Sequence, residues 1–123
     1  MPVADLGGCD HQFFPDVIER GEAFLIRYPQ AEVSPYVFLD VARGYEAWWS
    51  ASQQKPSDGI YRPELTADQK SKADDARQNA IRRYRDFAKR YPGLTPPWLS
   101  DVVEKLESKQ DTGTDTYIAQ CAE

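Results

Sequence analysis

The stretch Ala80–Pro92, Ala-Ile-Arg-Arg-Tyr-Arg-Asp-Phe-Ala-Lys-Arg-Tyr-Pro, decides how this chain folds. Its small and aromatic residues recur at spacings of three and four, so that a helix places them on one face: Ala80, Tyr84, Phe87 and Tyr91. Pro92 ends the helix, because a proline disfavours helical geometry at the residue before it. An earlier segment, Phe24-Leu-Ile-Arg-Tyr-Pro29, ends in the same way, so the chain contains two similar helix ends.

Helical periodicity extends outward from this stretch over residues 14–109, which we assign to a single domain. The pattern predicts about four helices: Phe14 to Tyr28, about Pro35 to Ser52, Ala67 to about Arg90, and a last one that opens at Pro96-Pro97 and fades near Lys109. Residues 1–13 form an irregular lead-in, residues 53–65 an inserted loop, and residues 110–123 a C-terminal tail.

Three residues are predicted to cap these helices. Ser34 and Thr95 each precede a proline that suits the first turn of a helix, which favours both as N-caps. Thr66-Ala-Asp-Gln69 fits a capping box, in which Gln69 reaches back to the start of the helix. The sequence therefore predicts side-chain caps on the second, third and fourth helices.

The faces of the second and third helices differ in character. The second helix has a wide apolar stripe, which predicts neighbours on two sides: Phe38, Val41, Ala42, Tyr45, Trp48 and Trp49. The third helix combines small residues, which would let a neighbour approach closely, with a basic strip predicted to face outward: Arg77, Arg82, Arg83, Arg85, Lys89 and Arg90. The alternative for this strip is a solvated face whose arginines pair locally with Asp74, Asp75 and Asp86.

Alignment of the two Tyr-Pro pairs superposes two helix hairpins of similar design. The pairs lie 63 positions apart (28 to 91), and hairpins of this kind stack because one alone cannot bury its apolar face. In its Ala80–Pro92 motif the chain resembles tetratricopeptide-like (TPR-like) repeats, similar to bacterial envelope proteins of the outer-membrane assembly lipoprotein and cell-division coordinator type. The resemblance implies an all-α fold of antiparallel hairpins stacked as a right-handed solenoid segment. A plain four-helix bundle is the alternative.

Composition and charge limit the classes of function. A net charge of −5 and a pI of about 4.9 argue against nucleic-acid binding, which needs a basic footprint. No run of about 18 apolar residues is present, so no membrane-spanning segment is expected. Phosphate-binding loops and nucleophile elbows do not occur either, and His11 is the one histidine. We therefore expect no enzyme, no cofactor and no metal site.

Cys9 and Cys121 lie near the two ends of the chain. They would close a disulfide in an exported protein and stay free thiols in the cytoplasm. Leu6-Gly7-Gly8-Cys9 resembles the lipobox of bacterial lipoproteins, which would place a lipid anchor at Cys9, although residues 1–8 lack the basic and apolar regions of a complete signal peptide. An ordinary Gly-Gly loop is the alternative.

The resemblance implies a non-catalytic protein–protein interaction module, such as an adaptor or assembly factor of a bacterial envelope or periplasm; a cytoplasmic location is the alternative. The alternative function is a structural or capping segment of a larger protein or homo-oligomer. Aromatic and arginine side chains are the commonest anchors of interfaces. The partner-binding candidates are therefore the residues at stripe edges and on the basic strip: Tyr36, Trp48, Arg83 and Lys89.

Overall fold

The computed structural model describes residues 13–53 and 65–112, and within them every regular element is helical. The elements are α1 (Phe13–Arg27), α2 (Ser34–Ser52), α3 (Ala67–Arg90), a 3-10 helix (Pro92–Leu94) and α4 (Leu99–Glu107). The predicted all-α fold is confirmed. The predictions for Cys9, His11 and Cys121, for residues 54–64 and for the tail beyond residue 112 lie outside the described residues.

None of the described helices is both long and apolar enough to cross a lipid bilayer.

Each helix packs antiparallel against the next one in the chain. The start of α2 meets the end of α3 at Phe38 and Phe87, whose ring centroids lie 6.2 Å apart. The other end of α2 meets the first half of α3, where the Arg77 guanidinium carbon lies 5.6 Å from the centre of the Trp49 ring. Helix α2 therefore contacts α1 on one side and α3 on the other, as its wide apolar stripe predicts.

A single apolar core joins α2, α3 and α4. Ala42 of α2 and Ala80 of α3 are both fully buried, and their small side chains let the two helices approach closely. The other members of this core are bulky: Phe38, Trp49, Tyr84, Phe87, Leu99, Val103 and Leu106. Burial of such side chains stabilises the fold by about 1.5–3 kcal/mol each.

Two glycines allow α1 and α2 to pack closely against each other. A Cβ atom placed on Gly21 would lie 2.5 Å from Cγ2 of Val41, and one on Gly44 would lie 3.0 Å from Cγ1 of Ile18. Both neighbours are β-branched, so their side chains have few rotamers with which to give way. The contact between α1 and α2 therefore depends on the absence of a side chain at Gly21.

The two Phe-x-x-x-Tyr-Pro segments have nearly the same local geometry. The rings of Phe24 and Tyr28 lie 5.1 Å apart with an interplanar angle of 46°, and those of Phe87 and Tyr91 lie 5.2 Å apart at 51°. In both segments the tyrosine amide donates to the phenylalanine carbonyl, at 2.7 Å and 2.8 Å. Their surroundings differ, because Phe87 is buried whereas Phe24 is half-buried.

The capping predictions are correct for one helix and wrong for two. Thr66 and Gln69 form the complete capping box of α3. Ser34 is not an N-cap, because its hydroxyl donates to the Tyr28 carbonyl at 2.5 Å and so closes the α1–α2 connection. Thr95 is not an N-cap either: its hydroxyl donates to the Tyr91 carbonyl, and a turn over Pro96–Trp98 delays the start of α4 to Leu99.

Helix α4 ends in a Schellman motif that directs the chain back to α2. The Gln110 amide donates to the Lys105 carbonyl at 2.8 Å and the Lys109 amide to the Leu106 carbonyl at 3.1 Å. Lys109 adopts the left-handed conformation that this motif needs, with φ 58°. Asp111 then receives a 2.5 Å hydrogen bond from the Ser50 hydroxyl of α2.

We expect Gly21→Ala to destabilise the protein by about 1–3 kcal/mol, because the added methyl group collides with Val41 and forces α1 away from α2. This expected loss is the net value, after subtraction of the gain in helix propensity that alanine brings, about 1 kcal/mol. Urea unfolding followed by circular dichroism measures the difference. Gly93→Ala is the matched control, since no atom lies within 4 Å of its Cβ position. Equal stability of the two variants would contradict the close approach of α1 and α2.

Candidate partner-binding groove

A surface groove with a cavity volume of about 240 Å³ lies where α1, α2 and the end of α3 meet. All three helices contribute to its lining, which combines apolar side chains with two arginines and one glutamate: Glu22, Leu25, Ile26, Pro29, Phe38, Arg83, Arg90 and Tyr91. We refer to this set as the groove. Its mixture of apolar surface with a few charged groups is typical of binding sites.

The Phe38 ring anchors both arginines of the groove. The guanidinium carbons of Arg83 and Arg90 each lie 5.5 Å from the ring centroid. Such cation–π contacts stabilise a charged group by about 0.5–1 kcal/mol at exposed sites and restrict its position. The Tyr91 ring also packs against Phe38, at 6.3 Å between centroids. Both cations therefore lie against the same aromatic ring.

An ion pair between Glu22 of α1 and Arg83 of α3 crosses the groove. The side chains of the pair are 28% and 24% exposed, so solvent reaches both partners. Tyr45 of α2 lies close to this pair. The pKa of the Tyr45 phenol is raised above its ordinary value. Burial of the phenol is the larger cause, and the negative charge of Glu22 is the second. The ion pair therefore joins α1 to α3, and at neutral pH an uncharged phenol of α2 lies beside it.

Exposed apolar side chains gather at the same end of the molecule. Because the helices alternate in direction, the α1–α2 and α3–α4 connections lie at one end, next to the groove. Six of the exposed large hydrophobic residues lie in these connections or within one turn of them: Ile26 (82% exposed), Tyr28, Val33, Tyr36, Leu94 and Trp98. Clustered apolar exposure of this kind is typical of interaction surfaces.

The four partner-binding candidates from the sequence are not brought into one patch. Arg83 lines the groove, and Tyr36 is 60% exposed near the start of α2. Trp48 lies twelve positions further along α2, or about 18 Å along the axis, and is half-buried. Lys89 is exposed on α3, about 120° around the helix from Arg83. No contact in the described residues tests these candidates as binding residues.

Three groove residues did not stand out in the sequence. Glu22 reads as a solvated charge, Ile26 lies off the apolar stripe of α1, and Arg90 is one of six basic residues on the strip. Tertiary packing gives them a common location, because α1 and α3 both contact α2. One sequence signal could have located these three residues. It is the alignment of the two Tyr-Pro segments, because these segments mark the ends of α1 and α3.

A second polar cluster lies inside the fold, between α2 and α3. Glu46 is 1% exposed, and its two carboxylate oxygens accept hydrogen bonds from the Tyr84 and Thr112 hydroxyls. Sequence reasoning missed Glu46 because a charged residue interrupts the apolar stripe. Paired in this way, the carboxylate fixes the segment after α4 against α2.

The prediction that Arg77 lies on the outward face of α3 is wrong. Its side chain is buried and not on the surface: Nε pairs with Asp74 at 2.9 Å, and one terminal nitrogen donates to the Leu106 carbonyl at 2.9 Å. The hydrogen bond from Arg77 lowers the pKa of Asp74 below its ordinary value. Arg77 thus holds the end of α4 onto α3, a role that its charge alone does not reveal.

Neither the rest of the site chemistry nor comparison with known proteins assigns a function. Among residues 13–53 and 65–112, no three His, Cys, Asp or Glu side chains are grouped so that they could hold a metal ion. Comparison of the chain with protein-family models, curated proteins and solved structures finds no match. The groove is therefore the feature of the described residues that suggests a function.

We expect Tyr84→Phe to destabilise the protein by about 1–3 kcal/mol, because it removes a hydroxyl donor from the buried Glu46 carboxylate. Tyr91→Phe is the matched control, since its half-buried hydroxyl makes no hydrogen bond with the described residues. Urea unfolding at pH 7 measures both variants. A Tyr84→Phe variant as stable as Tyr91→Phe would contradict the assignment of Glu46 as a buried, hydrogen-bonded carboxylate.

Proposed function

We propose that the chain is a non-catalytic protein-interaction module that binds a partner polypeptide in the groove between α1, α2 and α3. The observation that carries this proposal is the position of Ile26, which is 82% exposed and lines the groove together with two arginines that contact Phe38. Arginine and aromatic side chains are the commonest energetic anchors of interfaces, and an exposed apolar side chain beside them gains free energy when a partner buries it. Burial of Ile26 by a partner would contribute about 1.5–3 kcal/mol to binding.

We further propose that the helix pairs are stacked as a TPR-like, right-handed solenoid segment. The matching geometry of the Phe24–Tyr28 and Phe87–Tyr91 pairs supports this proposal, as does the sequential packing of α1, α2, α3 and α4. In such an arrangement the groove would lie along the inner face of the stacked helices. The proposal extends to a bacterial envelope or periplasmic adaptor, as the resemblance of residues 80–92 implies.

Photo-crosslinking in the cells that naturally produce the chain tests this function. A benzoylphenylalanine in place of Ile26 is expected to give a covalent adduct with a different polypeptide, which mass spectrometry identifies. The same probe in place of Lys70, which is exposed about 30 Å along α3 from Arg90, is the matched control and should give no such adduct.

Equal adducts from both positions, or none from position 26, would contradict a partner site in the groove. Adducts at position 26 that contain only a second copy of this chain would favour the alternative function, a structural segment of a homo-oligomer. Light scattering tests that case independently, because it measures the mass of the particle in solution. A chain that needs self-association would not have the mass of a monomer.

A further inference from the structure

The chemistry of the groove points to the class of segment that it binds, an inference that rests on the proposed function. The chain as a whole is acidic, with a net charge of −5. The groove is a local exception, because two arginines face one carboxylate, Glu22. The excess positive charge lies beside exposed apolar surface, so a complementary ligand carries negative charge next to an apolar side chain.

Arg90 is the cation available to such a ligand. Within residues 13–53 and 65–112 its guanidinium makes no ion pair with a carboxylate, and its contact there is with the face of Phe38. A guanidinium that lies over a ring keeps N–H groups at its edge, and these groups match the two oxygens of a carboxylate. Arg90 is exposed, so a ligand reaches it without rearrangement of the helices.

Arg83 already has a carboxylate partner, but one that a ligand can replace. Its ion pair with Glu22 joins two partly exposed side chains. Ion pairs that solvent reaches typically contribute about 0–1 kcal/mol to stability. A second carboxylate in the groove would compete for the same guanidinium. Glu22 is therefore an internal competitor, and its negative charge weakens the binding of an acidic ligand.

We propose that the groove binds a segment of a partner protein in which a carboxylate side chain adjoins an apolar one. The carboxylate binds Arg90 and competes with Glu22 for Arg83, while the apolar side chain covers Ile26 and Leu25. A concave site between three helices suits a polypeptide segment better than a flat lipid surface. The net charge of the chain also opposes binding to anionic lipid.

Selection from a displayed library of random 12-residue peptides tests this proposal on the full chain. We expect the enriched peptides to contain Asp or Glu next to Leu, Ile or Phe. Fluorescence anisotropy with the most enriched peptide should show about tenfold weaker binding to Arg90→Gln, which lacks the charged donor. Lys70→Gln, the matched control with the same loss of charge, should bind as the unmodified chain does. Glu22→Gln should bind up to about fivefold more tightly, because the internal competitor is removed.

The outcomes separate this inference from the proposed function. Enriched peptides without acidic residues that still compete with the Ile26 crosslink would overturn the acidic specificity and leave the groove as a partner site. No enrichment, with the Ile26 crosslink to a partner still formed, would overturn the acidic-segment inference alone, whereas the absence of both would overturn the proposed function as well. Weaker binding to Glu22→Gln would overturn the role of Glu22 as a competitor. Binding of the chain to phosphatidylglycerol vesicles, with no selected peptide, would replace the polypeptide by a lipid surface.

Discussion

Helix α2 has to accept a neighbour on each side, and the rest of the structure depends on the small residues that make this possible. On the α1 side, Gly21 admits the side chain of Val41 at a distance that no Cβ atom could tolerate. Towards α3, Ala42 and Ala80 are fully buried in the core that joins the two helices. Because α1 and α3 both lie against α2, their side chains meet across its first turns. The groove is a consequence of this arrangement.

The carboxylates of the groove and of the buried polar cluster differ in their exposure to solvent. Glu46 is removed from water and shares its carboxylate between two hydroxyls, which fixes the chain after α4. Glu22 stays accessible and shares its carboxylate with an arginine that a ligand could also reach. Removal of a partner from a buried, paired carboxylate costs about 1–3 kcal/mol or more, whereas loss of an ion pair that solvent reaches costs about 0–1 kcal/mol. Glu46 therefore supports the fold, and Glu22 is suited to exchange.

The sequence predicted the helices well, because apolar periodicity and prolines are local signals. Thr66 and Gln69 formed the expected capping box, and α3 ended at Arg90 as predicted. Ser34 and Thr95 were misassigned because a hydroxyl can donate to a carbonyl across a turn as easily as it can accept from a helix amide. Both prolines were compatible with either geometry. Cap chemistry alone therefore did not determine where α2 and α4 begin.

The candidate site was predicted only in part, because it depends on how helices meet. Arg83 was selected as a basic residue on a helix face, yet Glu22, its partner in the ion pair, lies 61 positions away along the chain. Arg77 belongs to the same basic pattern and is nevertheless buried, since Asp74 and the end of α4 satisfy its guanidinium. Charge patterning does not distinguish these two arginines. Packing against neighbouring helices does.

Hydrogen exchange of the α1 amides tests most directly whether the groove exists before a partner binds. The account predicts that residues in the middle of α1, around Gly21, exchange as slowly as those of α2, because α1 is held against α2 by close packing. The groove then has a fixed α1 wall in the free protein. Rapid exchange throughout α1, with protection confined to α2, α3 and α4, would contradict a preformed groove and the binding function built on it.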